Sequence, residues 1–282
     1  MNTLRTIILM GFMTALMVAV GGILGGKSGV VIAFVMALAT NFFGYWFSDS
    51  LALKMADAQP VSREEAPELY EIVEGLATRA GIPVPRIYIA PTESPNAFAT
   101  GRDPEHSAVA VTAGILRILN RRELEGVLAH EFAHVKNRDI LTTSIASVFA
   151  SAITMLVHFG MYGFGGNRDR ENGVNPIFAV ALMILAPIAA TLLNLAISRS
   201  REFEADHTGA GICGHPEALA SALGKLTAGT QQIPMNANPA MANMYIVKPD
   251  AASFVTNLMS THPPLEERIR RLEEMAIHNH TM

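Results

Sequence analysis

His130-Glu131-Phe132-Ala133-His134 is the stretch on which the reading of this 282-residue chain turns. On an α-helix of about 3.6 residues per turn, positions i and i+4 share a face, so the imidazoles of His130 and His134 can meet one metal ion at about 2.0–2.1 Å. Glu131 then stands beside the metal without binding it, the HExxH arrangement of a zinc hydrolase. The flanks also read as helix. Asn120 with Glu123 makes a capping-box start, and Leu124, Val127, Leu128, Glu131 and Val135 follow at helical spacing with no Pro or Gly between Val127 and Val135. The expected chemistry is hydrolysis by a water that zinc makes acidic at neutral pH, with Glu131 taking its proton and returning it to the leaving amine.

Composition says where such a site lies. Charged residues are 16% of the chain, against about 25% in soluble domains, and this is the balance of a membrane protein. Four stretches without Lys, Arg, Asp or Glu are long enough to cross a hydrocarbon core of about 20 helical residues: Thr6 to Gly26, Ser28 to Ser48, Ile140 to Asn167 and Asn172 to Ser198. The third carries His158 and a glycine-rich end. Arg5 before the first run resembles a secretory signal, but a second span follows at once across Lys27, which suits a retained hairpin. Cys213 is the only cysteine, so an intrachain disulfide and a thiolate metal cluster are both excluded. A net charge of −4 with no basic stripe gives no case for nucleic acid.

The chain is therefore expected to divide into a transmembrane hairpin (1–48), a cytoplasmic catalytic part with a small sheet and the HExxH helix (49–139), a second hairpin (140–198) and a second cytoplasmic catalytic part (199–282). The fold class is a mainly α membrane protein with four transmembrane helices and a zincin-like α+β catalytic domain. Arg5, Lys54, Arg63, Lys136, Arg138, Arg199 and Arg201 on one side, against Lys27, Arg168 and Arg170 on the other, place the soluble parts in the cytoplasm. In the first soluble part Leu69, Ile72, Val73, Leu76 and Ala80 predict a helix ended by Gly81-Ile82-Pro83, and Arg86 to Ala90 and Ala108 to Thr112 read as strands.

Six residues separate His134 from Ile140, about 9 Å of helix, so the metal is expected close to the membrane surface. Just after the fourth span comes Arg201-Glu202-Phe203-Glu204-Ala205-Asp206-His207. Two crossings return the chain to its starting side, which brings these carboxylates to the height of the histidines. Glu202 and Asp206 share a helical face, so Glu202 as ligand with Asp206 as its supporting partner is a coherent pair. Spacing alone leaves Glu204 and His207 as competitors.

These motifs, with His262-Pro-Pro-Leu-Glu-Glu-Arg268 near the end, resemble the HtpX family of membrane zinc metallopeptidases, relatives of the CAAX prenyl proteases. Length and span order match over essentially the whole chain. The resemblance implies one Zn2+ per chain on His130, His134 and Glu202, a catalytic Glu131, and an Asp206 that supports the ligands. It implies an active site facing the cytoplasm from the cell inner membrane, and a stress-response or quality-control role. It also draws attention to Asn96-Ala97-Phe98-Ala99-Thr100-Gly101, similar to the family's edge strand beside the cleft, where a substrate's backbone is held. His262 and Arg268 become candidates for steadying the tetrahedral intermediate.

The expected partners are protein substrates, membrane-bound or unfolded, and the lipid bilayer; oligomeric state is left open. Three other readings fit the sequence less well. An intramembrane protease would bury the motif's charged flanks, Arg121, Arg122, Glu123, Glu125, Lys136, Arg138 and Asp139, in hydrocarbon at prohibitive cost. A CAAX-type prenyl-protein protease shares the motif, but four spans leave little material for a large chamber. A non-catalytic zinc-stabilised scaffold has no use for a base at Glu131.

Overall fold

The computed structural model describes residues 2–146, 199–233, 246 and 263–280. The expected fourth span, most of the third, and His262 lie outside the described residues.

The chain begins with helix α1 (Asn2–Met55), broken at Gly26, where φ 57 and ψ −141 reverse its direction. No side chain tolerates that conformation well, so the apolar run folds into two limbs. Asn41 Nδ2 joins them, donating to the Met10 carbonyl at 3.4 Å and to Thr14 Oγ1 at 2.7 Å. The limb Gly26–Met55 is long and apolar enough to cross a bilayer, and only 17% of its most apolar stretch is buried, which separates it from a core helix. Thr6–Ala19 in the first limb is a shorter apolar helix. The second limb continues beyond Ser48, where the hairpin was expected to end, because Ala52 and Leu53 join Ala58, Ala90, Phe98, Ala108 and Ala110 in an apolar cluster between the helix and the sheet.

Above α1 lies a sheet of four strands in the order β1-β2-β4-β3: β1 (Gln59–Pro60), β2 (Arg86–Ala90), β3 (Ala97–Gly101) and β4 (Ser107–Thr112). β2 runs parallel to β4, and β3 antiparallel to it. The two strands expected at Arg86 to Ala90 and Ala108 to Thr112 are present within one residue. β1 has only two residues and carries no pattern to read.

Helix α2 (Pro67–Ala80) buries Leu69, Ile72, Val73, Leu76, Ala77 and Ala80 and stops at Gly81, whose φ of 69 is the left-handed cap. After the short α3 (Ala113–Ile118) comes α4 (Arg121–Lys136), which carries His130, Glu131 and His134. Both capping-box bonds are made: Glu123 N–H donates to Asn120 Oδ1 at 3.0 Å and Asn120 N–H to Glu123 Oε2 at 2.9 Å. Glu123 also accepts from Ser221 at 2.7 Å and from Lys225 Nζ at 2.8 Å, tying α4 to α6 (Pro216–Gln232). Its burial raises the carboxyl pKa, but the Lys225 ammonium, the Asn120 region and Ser221 together outweigh that and hold it below its ordinary value.

Residues 140–146 are helical and lie on the first limb of α1: Thr6 and Thr142 share a 2.9 Å hydrogen bond, and Leu9 and Met13 cluster with Ile145 and Ala146. A 3-10 turn (Pro104–His106) precedes β4, and helices α5 (Arg199–Cys213) and α7 (Leu265–His280) follow later in the chain. α5 packs closely on α4. A Cβ at Gly209 would lie 2.8 Å from both the nitrogen and Cα of His130, so only glycine lets the two backbones approach this far. Cys213 is a buried free thiol.

Candidate metal centre

His130, His134 and Glu202 each present one donor atom, and the three atoms lie within 4.8 Å of one another. The two Nε2 atoms are 3.2 Å apart, Glu202 Oε1 is 3.6 Å from His134 Nε2, and Glu202 Oε2 is 3.8 Å from His130 Nε2. Ligands at about 2.0–2.1 Å from a tetrahedral zinc stand about 3.3–3.4 Å apart, so the spacing fits. Glu204 and His207, the competitors left open by spacing, are exposed and point to solvent. The face of α5 that carries Glu202 and Asp206 is the face turned to α4, and its small residue at Gly209 permits this.

The tautomers also fit a cation. His130 Nδ1 faces Asp206 Oδ1 at 2.9 Å and His134 Nδ1 faces Asp139 Oδ2 at 3.4 Å. When each Nδ1–H is donated to its carboxylate, both Nε2 lone pairs point into the same space, an arrangement that a shared cation satisfies. With the histidines neutral, the carboxylates of Glu131, Glu202, Asp139 and Asp206 oppose the guanidiniums of Arg201 and Arg268, which leaves a net −2 for a divalent ion to balance. These residues would hold the metal.

Electrostatics mark the same spot. Burial lowers His134's basicity, but the Asp139 hydrogen bond and the charges of Glu202 and Glu131 outweigh it and push the imidazole up to about 9. Burial dominates at His130 and lowers it, against the pull of Asp206. Burial pushes Glu131 up to about 7, with the neighbouring Glu202 adding to the rise and His134 opposing it. Asp206 is held down to about 2 because the Arg268 guanidinium outweighs the cost of its burial.

Each histidine thus has a carboxylate behind it, and each carboxylate an arginine. Arg268, on α7, forks onto Asp206 with Nε at 2.8 Å and Nη2 at 2.7 Å, and its Nη1 lies 3.7 Å from Glu202 Oε2. Arg201 Nη1 lies 3.4 Å from Asp139 Oδ1. One expectation needs correcting here: Asp206 supports His130 rather than Glu202, because the turn of α5 carries its carboxylate to the Nδ1 side of that ring. Arg268, expected near the reacting carbonyl, is buried with its fork committed to Asp206. Spacing marks Asp139 and Arg201 only as charges at the membrane boundary and does not place them at the site. The available signal was a carboxylate five residues after His134, just past the helix end, where a side chain can turn back to the outer nitrogen of the ring.

β3 is the sheet's edge by hydrogen bonding, and its outward groups face the site. Ala99 N–H donates to Glu131 Oε2 at 2.9 Å, and Ala97 C=O accepts from Ile246 N–H at 3.3 Å. All five residues of β3 are nevertheless buried, so the edge strand is not an open one. Asn96 lies just before the strand, where its carbonyl accepts from Thr112 N–H at 3.0 Å and its own N–H donates to Thr112 Oγ1 at 2.8 Å. Phe98 points away from Glu131, into the cluster under the sheet.

A helix offering two histidines, a second helix offering a carboxylate and a further carboxylate beside the donors make the arrangement of an HExxH metallopeptidase. The sequence profile of peptidase family M48 matches residues 63–276. Over 276 residues the chain is 55% identical to "Protease HtpX homolog" of Pyrococcus furiosus, covering 97% of this chain and 96% of that one. It is 55% identical to the protein of the same description from Persephonella marina, covering 98% of each. The crystal structure of S. mikatae Ste24p is similar at a TM-score of 0.49 and 20% identity, covering 86% of this chain and 57% of that one. The chain belongs to peptidase family M48, among the HtpX proteases, and is a metalloprotease.

Proposed function

We propose that the chain is a multi-pass endopeptidase of the cell inner membrane, with four spans, that uses one zinc ion on His130, His134 and Glu202 to cut membrane or unfolded proteins at the cytoplasmic face, in protein quality control. The observation that carries this reading is the convergence of the three donors within 4.8 Å beside Glu131. When bound, zinc supplies a Lewis acid and makes a water acidic near neutral pH. Glu131 is the general base: the Ala99 amide fixes its Oε2, and its carboxyl accepts the water's proton and passes it to the leaving nitrogen. Asp206 and Asp139 hold the rings of His130 and His134 with Nε2 turned inward. Arg268 is a positioning residue acting through Asp206, and its Nη1 offsets the charge of Glu202.

Substrate recognition at Asn96, Ala97, Phe98 and Ala99 is proposed to use main-chain bonds with little sequence preference, an extended segment displacing the Ile246 amide from the Ala97 carbonyl. His262 is proposed as a second donor to the developing oxyanion. The test is cleavage of casein and of a membrane substrate by the purified full chain. Glu131→Gln is expected to lose about 10²–10⁴ in rate while keeping its zinc. Full activity in that variant would refute the assignment.

A further inference from the structure

The height of the site above the lipid can be read from the chain itself. Thr6 lies 20 residues before the break at Gly26, and Trp46 lies 20 residues after it. At about 1.5 Å per residue each limb measures about 30 Å, one hydrocarbon thickness, so Thr6 and Trp46 stand at the same boundary. Their surroundings agree. Thr6 meets Thr142 at 2.9 Å, above the apolar contacts of Leu9 and Met13 with Ile145 and Ala146. Trp46 is 45% exposed in a belt with Phe42, Phe43 and Phe47, and the Arg102 guanidinium lies 4.8 Å over its ring. An amphipathic indole with a cation on its face is the side-chain pair suited to the headgroup layer.

Arg102 directly follows β3, so the sheet starts at this boundary. Arg102 stands three positions beyond Ala99, whose amide holds Glu131, a path of about 10 Å. The helix gives a second measure: from Trp46 to Leu53, which shares a cluster with Phe98, is seven residues, again about 10 Å. We propose that Trp46 and the turn beginning at Arg102 form a lipid-docking surface that fixes the catalytic carboxylate about 10 Å above the apolar layer, and that the enzyme therefore favours peptide bonds within a few residues of the end of a membrane-spanning segment. This rests on the peptidase reading given above and names its substrate class.

Trp46 is the only tryptophan, so the full chain reports its own depth. In phosphatidylcholine–phosphatidylglycerol vesicles its fluorescence is expected to be quenched most by lipids brominated near the headgroup and least by those brominated near the chain ends. In the same vesicles, a single-span substrate carries one cleavable segment at about 4, 14 or 24 residues from the span. Cleavage should be fastest at the shortest spacing and fall about 15-fold by the longest, as tethered concentration drops with the −3/2 power of length. Casein, which carries no span, controls for the peptidase itself. Deep quenching of Trp46, or cleavage that rises with spacer length while casein is still cut, overturns the proposal. A preparation that cuts neither substrate overturns the peptidase reading on which it depends.

Discussion

Replacing Gly209 by alanine is expected to weaken zinc binding without removing any ligand. A Cβ at that position would sit 2.8 Å from His130 N and Cα and 3.0 Å from the Ala129 carbonyl carbon. Ordinary carbon contacts are about 3.5–4.0 Å, so α5 must retreat from α4 by about 0.7–1 Å. That displacement exceeds the tolerance of about 0.2 Å in metal–ligand distances, and it acts on the helix that carries Glu202. Overpacking of this kind costs about 1–3 kcal/mol, and recompressing the helices around the ion converts it to about 5- to 150-fold in zinc affinity. Chelator competition on the purified full chain measures it. Gly211→Ala is the control, since a Cβ there meets nothing within 4 Å on the same helix. Unchanged zinc affinity in Gly209→Ala, or an equal loss in Gly211→Ala, would refute the close-approach argument.

Asp139→Ala should lower zinc affinity about 10- to 100-fold with Glu131 untouched, because His134 loses the acceptor that orients its ring; chelator competition again decides. Arg268→Lys cannot reproduce the two-pronged contact with Asp206 and is expected to lose both zinc affinity and turnover, read by metal content and casein cleavage. Glu123 has a folded-state pKa below its ordinary 4.5, so its contribution is present above that value and lost as pH falls through the folded value. Wild type should therefore exceed Glu123→Gln in thermal stability at neutral pH by more than it does at about pH 3, and a constant gap across that range would show that the carboxylate is not held down.

Much of the site was legible because it is written in helical spacing. His130 with His134 and Glu123 with Asn120 follow from a period near 3.6, and that period survives folding wherever a helix forms; for Glu202 the period gives a shared face with Asp206 and leaves Glu204 and His207 as competitors. What could not be read depends on how helices rotate against each other. Asp206 faces the outer nitrogen of His130 because of the angle at which α5 packs at Gly209, and no pattern within α5 reports that angle. Asp139 and Arg201 meet across a sequence separation of 62 residues. β1 was too short for alternation to register, and the burial of β3 reflects neighbours such as Val135 and Ile140 that spacing cannot place beside Ala99. The hairpin was legible in its apolar content, while its extension to Met55 follows from the sheet that rests on it.

Zinc content per chain, measured on the detergent-purified wild type and on Glu202→Ala, tests the three-ligand site most directly. About one ion is expected in the wild type and little or none in the variant, as the two histidines alone fill only two of about four positions. Full occupancy in Glu202→Ala would contradict the account.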